Sequence, residues 1–487
     1  MKLIFRGHDD RYAVEQSLLA FFPDERPVYE DAAPGEDRAV VALHSGKTYT
    51  TATTRIAYRG KSARGVSRVV IDPALDEYES ARLRQKAVKL SFFKAAREIT
   101  GSTPSWGALT GIRPGKLAAR MLEEGKTEKE TDRILRETYF VAPERRRLAI
   151  ETAQAGLKAK ADLAPNEISL YVGIPFCPTR CAYCSFVSRS VGKRTELLEP
   201  YLEALHQELA LTAKLLANSG RHVRTIYIGG GTPTTLSCDQ LARLLDGITD
   251  AFDLSRLLEF TVEGGRPDTL DAEKLLTIRR HGADRMSINP QTMVDEVLRR
   301  SGRPHTAADV LRAYEQAVAA DYKAINMDLI AGLPGDTPAG FRHSLDTVAA
   351  LAPANITVHT LALKKGADLF EKRVDLPSGT DVAQMVEYAN LRLRQLGYKP
   401  YYLYRQKYMS GSFENVGWSK DGLDCLYNIY MMEELHTIVS LGGGGMNKVN
   451  LPGGRLERLH NPKFPEQYIQ QLDSVLAQKH ALFERMG

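Results

Sequence analysis

The sequence predicts an α/β fold organised around a parallel β-sheet or barrel, and three observations lead to this prediction. Six short apolar runs alternate with amphipathic helix patterns between residues 168 and 363, which is the pattern of successive βαβ units. The cysteine, glycine and carboxylate motifs fall at the C-terminal ends of those runs, where α/β folds carry their chemistry. The composition, with 43% hydrophobic and 26% charged residues, is that of a folded globular chain.

Residues 1–163 are predicted to form an N-terminal domain, a small α/β unit followed by helices. KLIF predicts a strand, AVEQSLLAFF a helix, and RAVVALHSGKTYTTATTRIAY two strands on either side of the turn residues Ser45 and Gly46. The remainder of the domain has a helical pattern, with Pro114 at the start of one helix and Thr127 as the N-cap of another.

Residues 164–365 are predicted to form the central domain, which carries the six strands. The strands are ISLYVGI (168–174), TIYIGG (225–230), EFTVEGG (259–265), RMSINP (285–290), AINMDLIAG (324–332) and NITVHTLAL (355–363). Helix patterns such as LLEPYLEALHQELALTAKLLA and AADVLRAYEQAVAA lie between them. Because a parallel pair of strands needs a crossover helix, this order favours a parallel arrangement with the helices outside.

Residues 366–487 lose the alternation and predict a C-terminal α+β extension. They contain the helix pattern VAQMVEYANLRLRQLG, the aromatic run PYYLYRQKY and the glycine-rich segment LGGGGMNKVNLPGGR. We expect this module to close the open side of the sheet and to supply a wall of the substrate site.

The charge and the hydropathy pattern exclude several classes of protein. The net charge of +5 comes from 65 basic and 60 acidic side chains dispersed along the chain, which does not indicate a nucleic-acid interface. The start, MKLIFRGHDDRY, lacks the apolar core of a signal peptide. Since no window of about 18 unbroken apolar residues occurs, we expect no membrane span and a cytoplasmic, reducing location.

Three of the five cysteines are clustered in YVGIPFCPTRCAYCSF, at Cys177, Cys181 and Cys184, whereas Cys238 and Cys425 stand alone. Clustered cysteines in a reducing compartment indicate metal ligands or redox groups. Structural zinc prefers four protein ligands, often as two separated pairs, and no second pair is present. Three cysteines suit a [4Fe–4S] cluster, because the fourth iron is left open for an external ligand.

The spacing Cys177-x3-Cys181-x2-Cys184, with Tyr183 before the last cysteine, resembles the signature of the radical S-adenosylmethionine (SAM) superfamily. The resemblance implies a partial (β/α)6 barrel, a [4Fe–4S] cluster held by these cysteines as metal ligands and catalytic groups, and SAM bound to the open iron. Cleavage of SAM in that superfamily gives a 5′-deoxyadenosyl radical. The cofactor would therefore carry the difficult chemistry, while the protein positions and shields it.

The resemblance also assigns the residues that bind SAM. The segment GGGTPT after the second strand resembles the part of the superfamily that contacts the methionine amino group. Glycine there lets the backbone approach a ligand closely. Tyr171 would lie near the cluster, Tyr183 would contact the adenine, and Glu263 the ribose hydroxyls. Carried over position by position, the implied SAM-binding residues are Tyr171, Tyr183, Gly229, Gly230, Gly231, Thr232, Glu263, Gln291, Arg303 and Asp328.

A narrower resemblance, to the oxygen-independent coproporphyrinogen III oxidase (dehydrogenase) group and its HemZ-type branch, is carried by six segments. They read SLYVGIPFCPTRCAYCSF, IYIGGGTPTTL, EFTVEGGRPDT, RMSINPQTM, SGRPHT and INMDLIAGLPGDT. The resemblance implies oxidative decarboxylation of a porphyrinogen-type substrate, an electron donor such as flavodoxin or ferredoxin, and a monomer. The sequence departs from the oxidase pattern at Gly173, where a histidine is common, at Phe186, where a cysteine is expected, and in the N-terminal region.

Alternatives remain open at this stage. The first is a haem-binding chaperone of the same family, although its segment His-Asn-x-x-Tyr-Trp is replaced here by residues 427–432, YNIYMM. The second is a radical SAM methyltransferase of the same lineage, and the third a zinc-dependent or structural barrel with a phosphate-binding glycine loop. A substrate with four carboxylates needs cations, and the candidates are Arg266, Lys364, Lys365, Arg405 and Lys407.

Overall fold

The computed structural model describes residues 1–22, 25–29, 33, 35–46, 48–111, 113–185, 189–193, 195–362, 375–406, 413–451 and 455–486. The chain forms two compact units, one comprising residues 1–150 with 411–413 and the other residues 151–410 with 414–487. The division into three domains stays a prediction. In the described part of the chain, no helix is both long enough and apolar enough to cross a membrane.

The first unit contains a four-stranded sheet in the order β1-β2-β3-β4. Its strands are β1 (Lys2–Arg6), β2 (Arg38–Ser45), β3 (Thr50–Tyr58) and β4 (Lys61–Val69). Strand β4 was not predicted, because its inward residues are small and give no hydrophobic alternation. A Cβ at Gly65 in this strand would lie 1.9 Å from the carbonyl oxygen of Ser91, so glycine allows the following long helix to pack closely on β4.

The helices before the central strands follow the predicted order. They are Arg11–Phe21, Glu77–Thr100, Pro114–Glu123, Glu128–Glu137 and Pro143–Ala161, the last of which contains the boundary between the units. Thr127 caps its helix as expected, since it accepts from the amide of Glu130 at 3.2 Å while the Glu130 carboxylate accepts from the Thr127 amide at 2.8 Å. This reciprocal pair is a capping box.

The second unit contains an eleven-stranded sheet among its described residues, in the order β13-β14-β12-β11-β10-β9-β8-β5-β15-β16-β17. The strands are β5 (Glu167–Ile174), β6 (Phe176–Cys177), β7 (Arg189–Ser190), β8 (His222–Gly230), β9 (Glu259–Gly265), β10 (Arg285–Ile288), β11 (Ala324–Ala331), β12 (Asn355–Thr360), β13 (Lys399–Tyr404), β14 (Asn415–Ser419), β15 (Ile438–Leu441), β16 (Met446–Leu451) and β17 (Arg455–His460). The short strands β6 and β7 pair separately with each other.

The six predicted strands are confirmed as β5, β8, β9, β10, β11 and β12, and each pairs in parallel with its neighbour in that order. The C-terminal segments extend this sheet at both edges: β14 pairs antiparallel with β12, and β15 pairs parallel with β5. Within the described residues β13 and β17 are the end strands, so the arrangement is open. This α/β architecture is the fold class that the sequence predicted.

Helices connect the strands of this unit. They are Leu198–Asn218, Cys238–Ala251, Ala272–Arg280, Asp295–Arg300, Ala307–Ala319, Pro338–Ala350, Gly379–Gln395, Leu426–Glu433, Pro465–Gln470 and Leu472–Met486. The parallel strands between them are buried almost throughout, as expected for a sheet covered on both faces. Because the C-terminal ends of parallel strands meet at one edge, the loops after β5, β8, β9, β10 and β11 lie near one another there.

Candidate functional site

The three clustered cysteines lie at the C-terminal edge of the sheet, in and after β6. Cys177 ends β6, and a hydrogen bond of 3.0 Å from the Cys184 amide to the Cys181 carbonyl turns the loop. The Ala182 amide donates to the Ser301 carbonyl at 3.0 Å. All three cysteines are half-buried and line one cavity of about 360 Å³.

The donor set at this loop does not suit a single metal ion. Among the described residues, no three histidine, cysteine, aspartate or glutamate side chains converge as ligands of one ion. A tetrahedral zinc site would require that convergence, with sulfur atoms about 2.3 Å from the metal. A four-iron cube does not, because each cysteine binds a different iron. Three cysteines along one loop therefore suit a four-iron cube.

The glycine loop after β8 packs directly against the cysteine strand. A Cβ at Gly231 would lie 2.4 Å from the carbonyl oxygen of Phe176. The Gly231 amide donates to the Ile174 carbonyl at 2.9 Å, and the Thr232 amide donates to the Phe176 carbonyl at 2.7 Å. Since these amides already have acceptors in the protein, the loop is not built as a phosphate cradle. The Thr232 hydroxyl lies 3.5 Å from the Cys177 sulfur.

Two buried carboxylates face the cavity from β9 and β11. Burial, with a contribution from the nearby Asp328, raises the pKa of Glu263 to about 7, although the Tyr227 hydroxyl donates to it at 2.5 Å. Burial also disfavours ionisation of Asp328, but hydrogen bonds, first from His359 and then from Asn326 and Thr357, leave its pKa lowered. The Asn326 amide donates to Asp328 at 2.7 Å.

The segment after β10 adds unsatisfied acceptors to the same wall. Ser287, Asn289 and Gln291 alternate along the strand direction, line the cavity, and each has a buried side-chain oxygen without a hydrogen-bond partner among the described residues. Gln291 has a φ of +68°. Its backbone bonds to β11 on both sides, donating to the Asp328 carbonyl and accepting from the Ile330 amide at 2.9 Å each. Such strained backbone often occurs at functional sites.

The cavity continues away from the cysteines to a wall of aromatic and amide side chains. The side chains of this distal wall are His359, Thr360, Leu361, Tyr402, Tyr404, Gln406, Asn415, Asn428 and Met432. The rings of Tyr402 and Tyr404 are nearly parallel, with their centroids 6.4 Å apart. The helix Leu426–Glu433 is fixed below this wall by buried Glu259, which accepts from the amides of its first two residues at 2.8 and 3.1 Å.

The chain matches the family described as the Radical SAM superfamily over residues 171–348. It is 34% identical to the "Oxygen-independent coproporphyrinogen-III oxidase-like protein HemZ" of Bacillus subtilis (strain 168), over 98% of this chain and 97% of the relative. It is also 34% identical to the "Heme chaperone HemW" of that organism, over 58% of this chain and 73% of the relative. The chain belongs to the HemZ-type family of radical SAM proteins.

A solved structure agrees with this assignment. Coproporphyrinogen III oxidase (HemN) from Escherichia coli superposes with a TM-score of 0.53 and 25% identity, over 66% of this chain and 73% of that chain. Radical SAM proteins use a [4Fe–4S] cluster and SAM. The site fits both groups. The three cysteines suit a cube, and a wall of two carboxylates and three unsatisfied acceptors suits a ligand with a sulfonium charge, an ammonium group and ribose hydroxyls.

Most SAM-binding residues expected of this family line the cavity. The residues that do so are Tyr183, Gly230, Gly231, Thr232, Glu263, Gln291, Arg303 and Asp328. Tyr171 and Gly229 do not. Tyr171 instead stacks on Tyr227 and Tyr427, with centroid distances of 6.3 Å to both rings. A Cβ at Gly229 would lie 2.9 Å from the Glu263 carboxyl carbon, so Gly229 makes room for that carboxylate.

Several residues of the site were not predicted from the sequence, among them Tyr227, Ser287, Asn289 and His359. Strand periodicity could have indicated Tyr227, because it lies on the same face of its strand as Gly229. It could also have indicated Ser287 and Asn289, which alternate in register with Gln291. Of the expected substrate cations, Arg266 is already engaged by Asp268 through two hydrogen bonds of 2.9 and 2.7 Å. Lys364, Lys365, Lys407 and the departure at Phe186 lie outside the described residues.

The departure of the HemZ-type sequence at Gly173 has a structural reason. Strand β15 pairs with β5, and the glycine turn that follows β15 lies against Gly173. A Cβ at Gly173 would lie 2.7 Å from the carbonyl oxygen of Gly443. The Tyr201 hydroxyl fixes this contact, since it donates to the Gly173 carbonyl at 2.5 Å and accepts from the Gly443 amide at 2.7 Å. A histidine would displace this turn.

Proposed function

We propose that this protein is a radical SAM oxidoreductase that converts two propionate side chains of coproporphyrinogen III to vinyl groups without oxygen, forming protoporphyrinogen IX. The proposal is supported by the family membership and by the 25% identity with the coproporphyrinogen III oxidase HemN. A small-molecule substrate and a reductant follow from the superfamily. We infer that flavodoxin or ferredoxin supplies the electron for the cluster.

The observation that carries the proposal is the continuity of the cavity. One space of about 360 Å³ runs from Cys177, Cys181 and Cys184 to the distal wall. A radical generated at the cysteine end would therefore share one cavity with a substrate held at the other end. The flat faces of Tyr402 and Tyr404 suit the apolar surface of a tetrapyrrole.

Within this proposal the chain's own residues bind and orient the cofactor. The three cysteines hold the cluster, Glu263 and Asp328 accept hydrogen bonds from ribose hydroxyls, and Arg303 binds a carboxylate. When bound, the cluster and SAM would supply a 5′-deoxyadenosyl radical able to take a hydrogen atom from the propionate β-carbon. Loss of CO2 would then leave the vinyl group, and the remaining electron would pass to a one-electron acceptor. The distal wall excludes water and orients each propionate in turn.

The substrate orientation follows from the polarity of the distal wall. His359, Gln406 and Asn428 offer hydrogen bonds at the rim of the tyrosine faces, and pyrrole N–H groups match amide oxygens. Arg405 is a described cation of the expected set, but Tyr402, Tyr404 and Gln406 line the cavity and Arg405 does not.

The contacts of the segment that matches the chaperone motif favour the oxidoreductase over a haem chaperone. The position of the motif histidine is occupied by Tyr427, which is 3% exposed and stacks on Tyr227 with ring centroids 4.5 Å apart. Nearby His436 is also buried, with Nε2 2.7 Å from the Ser169 hydroxyl, and burial lowers its pKa to about 3. Neither side chain lines the cavity.

The proposed function is tested by anaerobic incubation of the reconstituted protein with SAM, a low-potential reductant and coproporphyrinogen III. Mass spectrometry should show loss of two CO2 per porphyrinogen, together with 5′-deoxyadenosine. Formation of 5′-deoxyadenosine with an unchanged porphyrinogen would refute the oxidoreductase and keep the radical SAM assignment. Cys177→Ala should abolish both products, whereas Cys238→Ala, at a cysteine outside the cavity, should abolish neither.

A further inference from the structure

A group of four charged or ionisable residues, three of them buried, lies beside the cysteine loop. We call it the arginine clamp, and it consists of Arg266, Asp268, Arg303 and His305. Arg266 is 3% exposed, Arg303 5% and His305 5%. Arg266 and Asp268 lie on the loop after β9, and Arg303 and His305 lie on the loop before the helix Ala307–Ala319. The clamp therefore joins two separate loops at the edge of the sheet.

Arg266 fastens the clamp to the cysteine loop. Its guanidinium donates to the Thr179 hydroxyl at 2.7 Å and to the Thr179 carbonyl at 3.2 Å. Its other nitrogens donate to both oxygens of Asp268. Although burial alone would raise the pKa of Asp268, hydrogen bonds from His305 and Arg266 hold that pKa well below its ordinary value. The charge of Arg266 is therefore already neutralised within the protein.

Arg303 has a different environment. In the described part of the chain, no carboxylate lies within ion-pair distance of its guanidinium. One outer nitrogen donates to the Tyr183 hydroxyl at 3.0 Å and lies 4.0 Å from the Cys181 sulfur, while the other donates to the Asn289 carbonyl at 2.7 Å. A buried cation without an anionic partner is costly. Arg303 is thus prepared for an anion that arrives with a ligand.

His305 bonds to Arg303 at Nε, the guanidinium nitrogen opposite the two outer ones. The partners of the His305 ring define its protonation state. The Nε of Arg303 donates to Nε2 of His305 at 3.3 Å. Because a guanidinium can only donate, Nε2 must be unprotonated, and the proton lies on Nδ1, which faces Asp268 Oδ1 at 3.3 Å. Burial, the largest influence, lowers the pKa of His305, in agreement with a neutral ring.

We propose that His305 and Asp268 are positioning residues for Arg303. His305 accepts from its Nε and Asp268 fixes the His305 ring through Nδ1, so that the two outer nitrogens of Arg303 are held toward Tyr183 and the cysteine loop. In this position Arg303 meets the SAM carboxylate and lies beside the cluster. The two residues thereby set the affinity for SAM and the reduction potential of the cluster. This inference rests on the cofactors and not on the proposed substrate.

The test compares two variants of His305 in the reconstituted full-length protein. A glutamine can replace the ring, since its amide oxygen accepts from Arg303 while its nitrogen donates to Asp268; a leucine can do neither. We expect His305→Leu to weaken SAM binding by about 10- to 100-fold, the usual effect of removing a supporting residue at a metal site. His305→Gln should stay within about threefold of the parent protein, by analogy with conservative replacements that keep both hydrogen bonds.

The measurements are the SAM dissociation constant, from the change in the electron paramagnetic resonance signal of the reduced cluster, and the cluster midpoint potential. His281→Leu is the control, because His281 bonds to the Thr277 carbonyl at 2.6 Å outside the cavity. Equal SAM affinity in the leucine and glutamine variants would overturn the proposal. If His305→Leu does not retain its cluster, Asp268→Asn decides, since unchanged SAM affinity and potential in that variant would also overturn it.

Discussion

Adding a single methyl group at Gly231 should impair SAM cleavage, because the glycine loop and the cysteine strand touch there through backbone alone. A Cβ at this position would lie 2.4 Å from the carbonyl oxygen, 2.8 Å from the nitrogen and 2.9 Å from the carbonyl carbon of Phe176. Ordinary contact between such atoms is about 3.5 Å. Gly231→Ala therefore requires the two segments to separate by about 1 Å.

The expected loss of stability and of SAM cleavage follows from the residue that is displaced. Phe176 is 0% exposed and is followed directly by Cys177, so the shift is transmitted to a cluster ligand. Overpacking of this kind costs about 1 to 3 kcal/mol of folding stability. A misplacement of about 1 Å at a reacting centre can reduce activity by about 100-fold. We expect a lower melting temperature and a loss of SAM cleavage of that order.

The assay is the rate of 5′-deoxyadenosine formation at matched cluster content, with thermal unfolding measured in parallel. Gly379→Ala is the matched control, because nothing lies within 4 Å of a Cβ at Gly379 and its φ is not positive. That variant should cleave SAM at the parent rate. If Gly231→Ala retained the parental melting temperature and cleavage rate, the close approach of the two segments would be refuted.

Three further predictions test other parts of the protein. The pKa of Glu263 is raised to about 7, so this carboxyl gains its negative charge as the pH rises from about 6 to 8. SAM is a cation and should therefore bind more tightly over that range. Isothermal titration should show this increase in affinity, and Glu263→Gln should remove it. Gly173→His should lower the melting temperature rather than improve catalysis, as differential scanning fluorimetry with Gly379→Ala as control would show. Lys479→Met removes the cation that lies 3.2 Å from the buried Glu208 carboxylate. It should lower the free energy of unfolding, measured in urea, by about 3 to 5 kcal/mol, and the additional change Glu208→Gln should restore much of that stability.

The sequence predicts the strands of the central sheet well, since parallel strands buried on both faces are short apolar runs bounded by helices. It predicts a C-terminal module that closes the open side of the sheet, but not which edges its strands join. Strands β14 and β15 pair with the outer strands β12 and β5. Which backbone edge a distant strand joins depends on long-range pairing and leaves no local periodicity in the sequence.

The residues of the candidate site also differ in how far the sequence predicts them. Residues of a local motif, such as Cys177 and Gly231, could be assigned to one site from the motif and the family resemblance. The clamp residues Asp268 and His305 could not, because their contact joins two loops and either could have been a surface residue. Their roles depend on the distance of 3.3 Å between His305 Nδ1 and Asp268 Oδ1, which only the folded chain defines.

The departure at Gly173 is matched by backbone from the C-terminal module. In the oxidase pattern a histidine fills this position, but here the backbone turn at Gly443 fills it, held by Tyr201 from both sides. Tyr201 also packs on Phe176, with ring centroids 5.2 Å apart, next to a cluster ligand. The C-terminal turn and the cysteine strand therefore support each other. Backbone atoms of the turn therefore take the place of a side chain at Gly173. The cavity is still lined by the three cysteines and by Glu263 and Asp328.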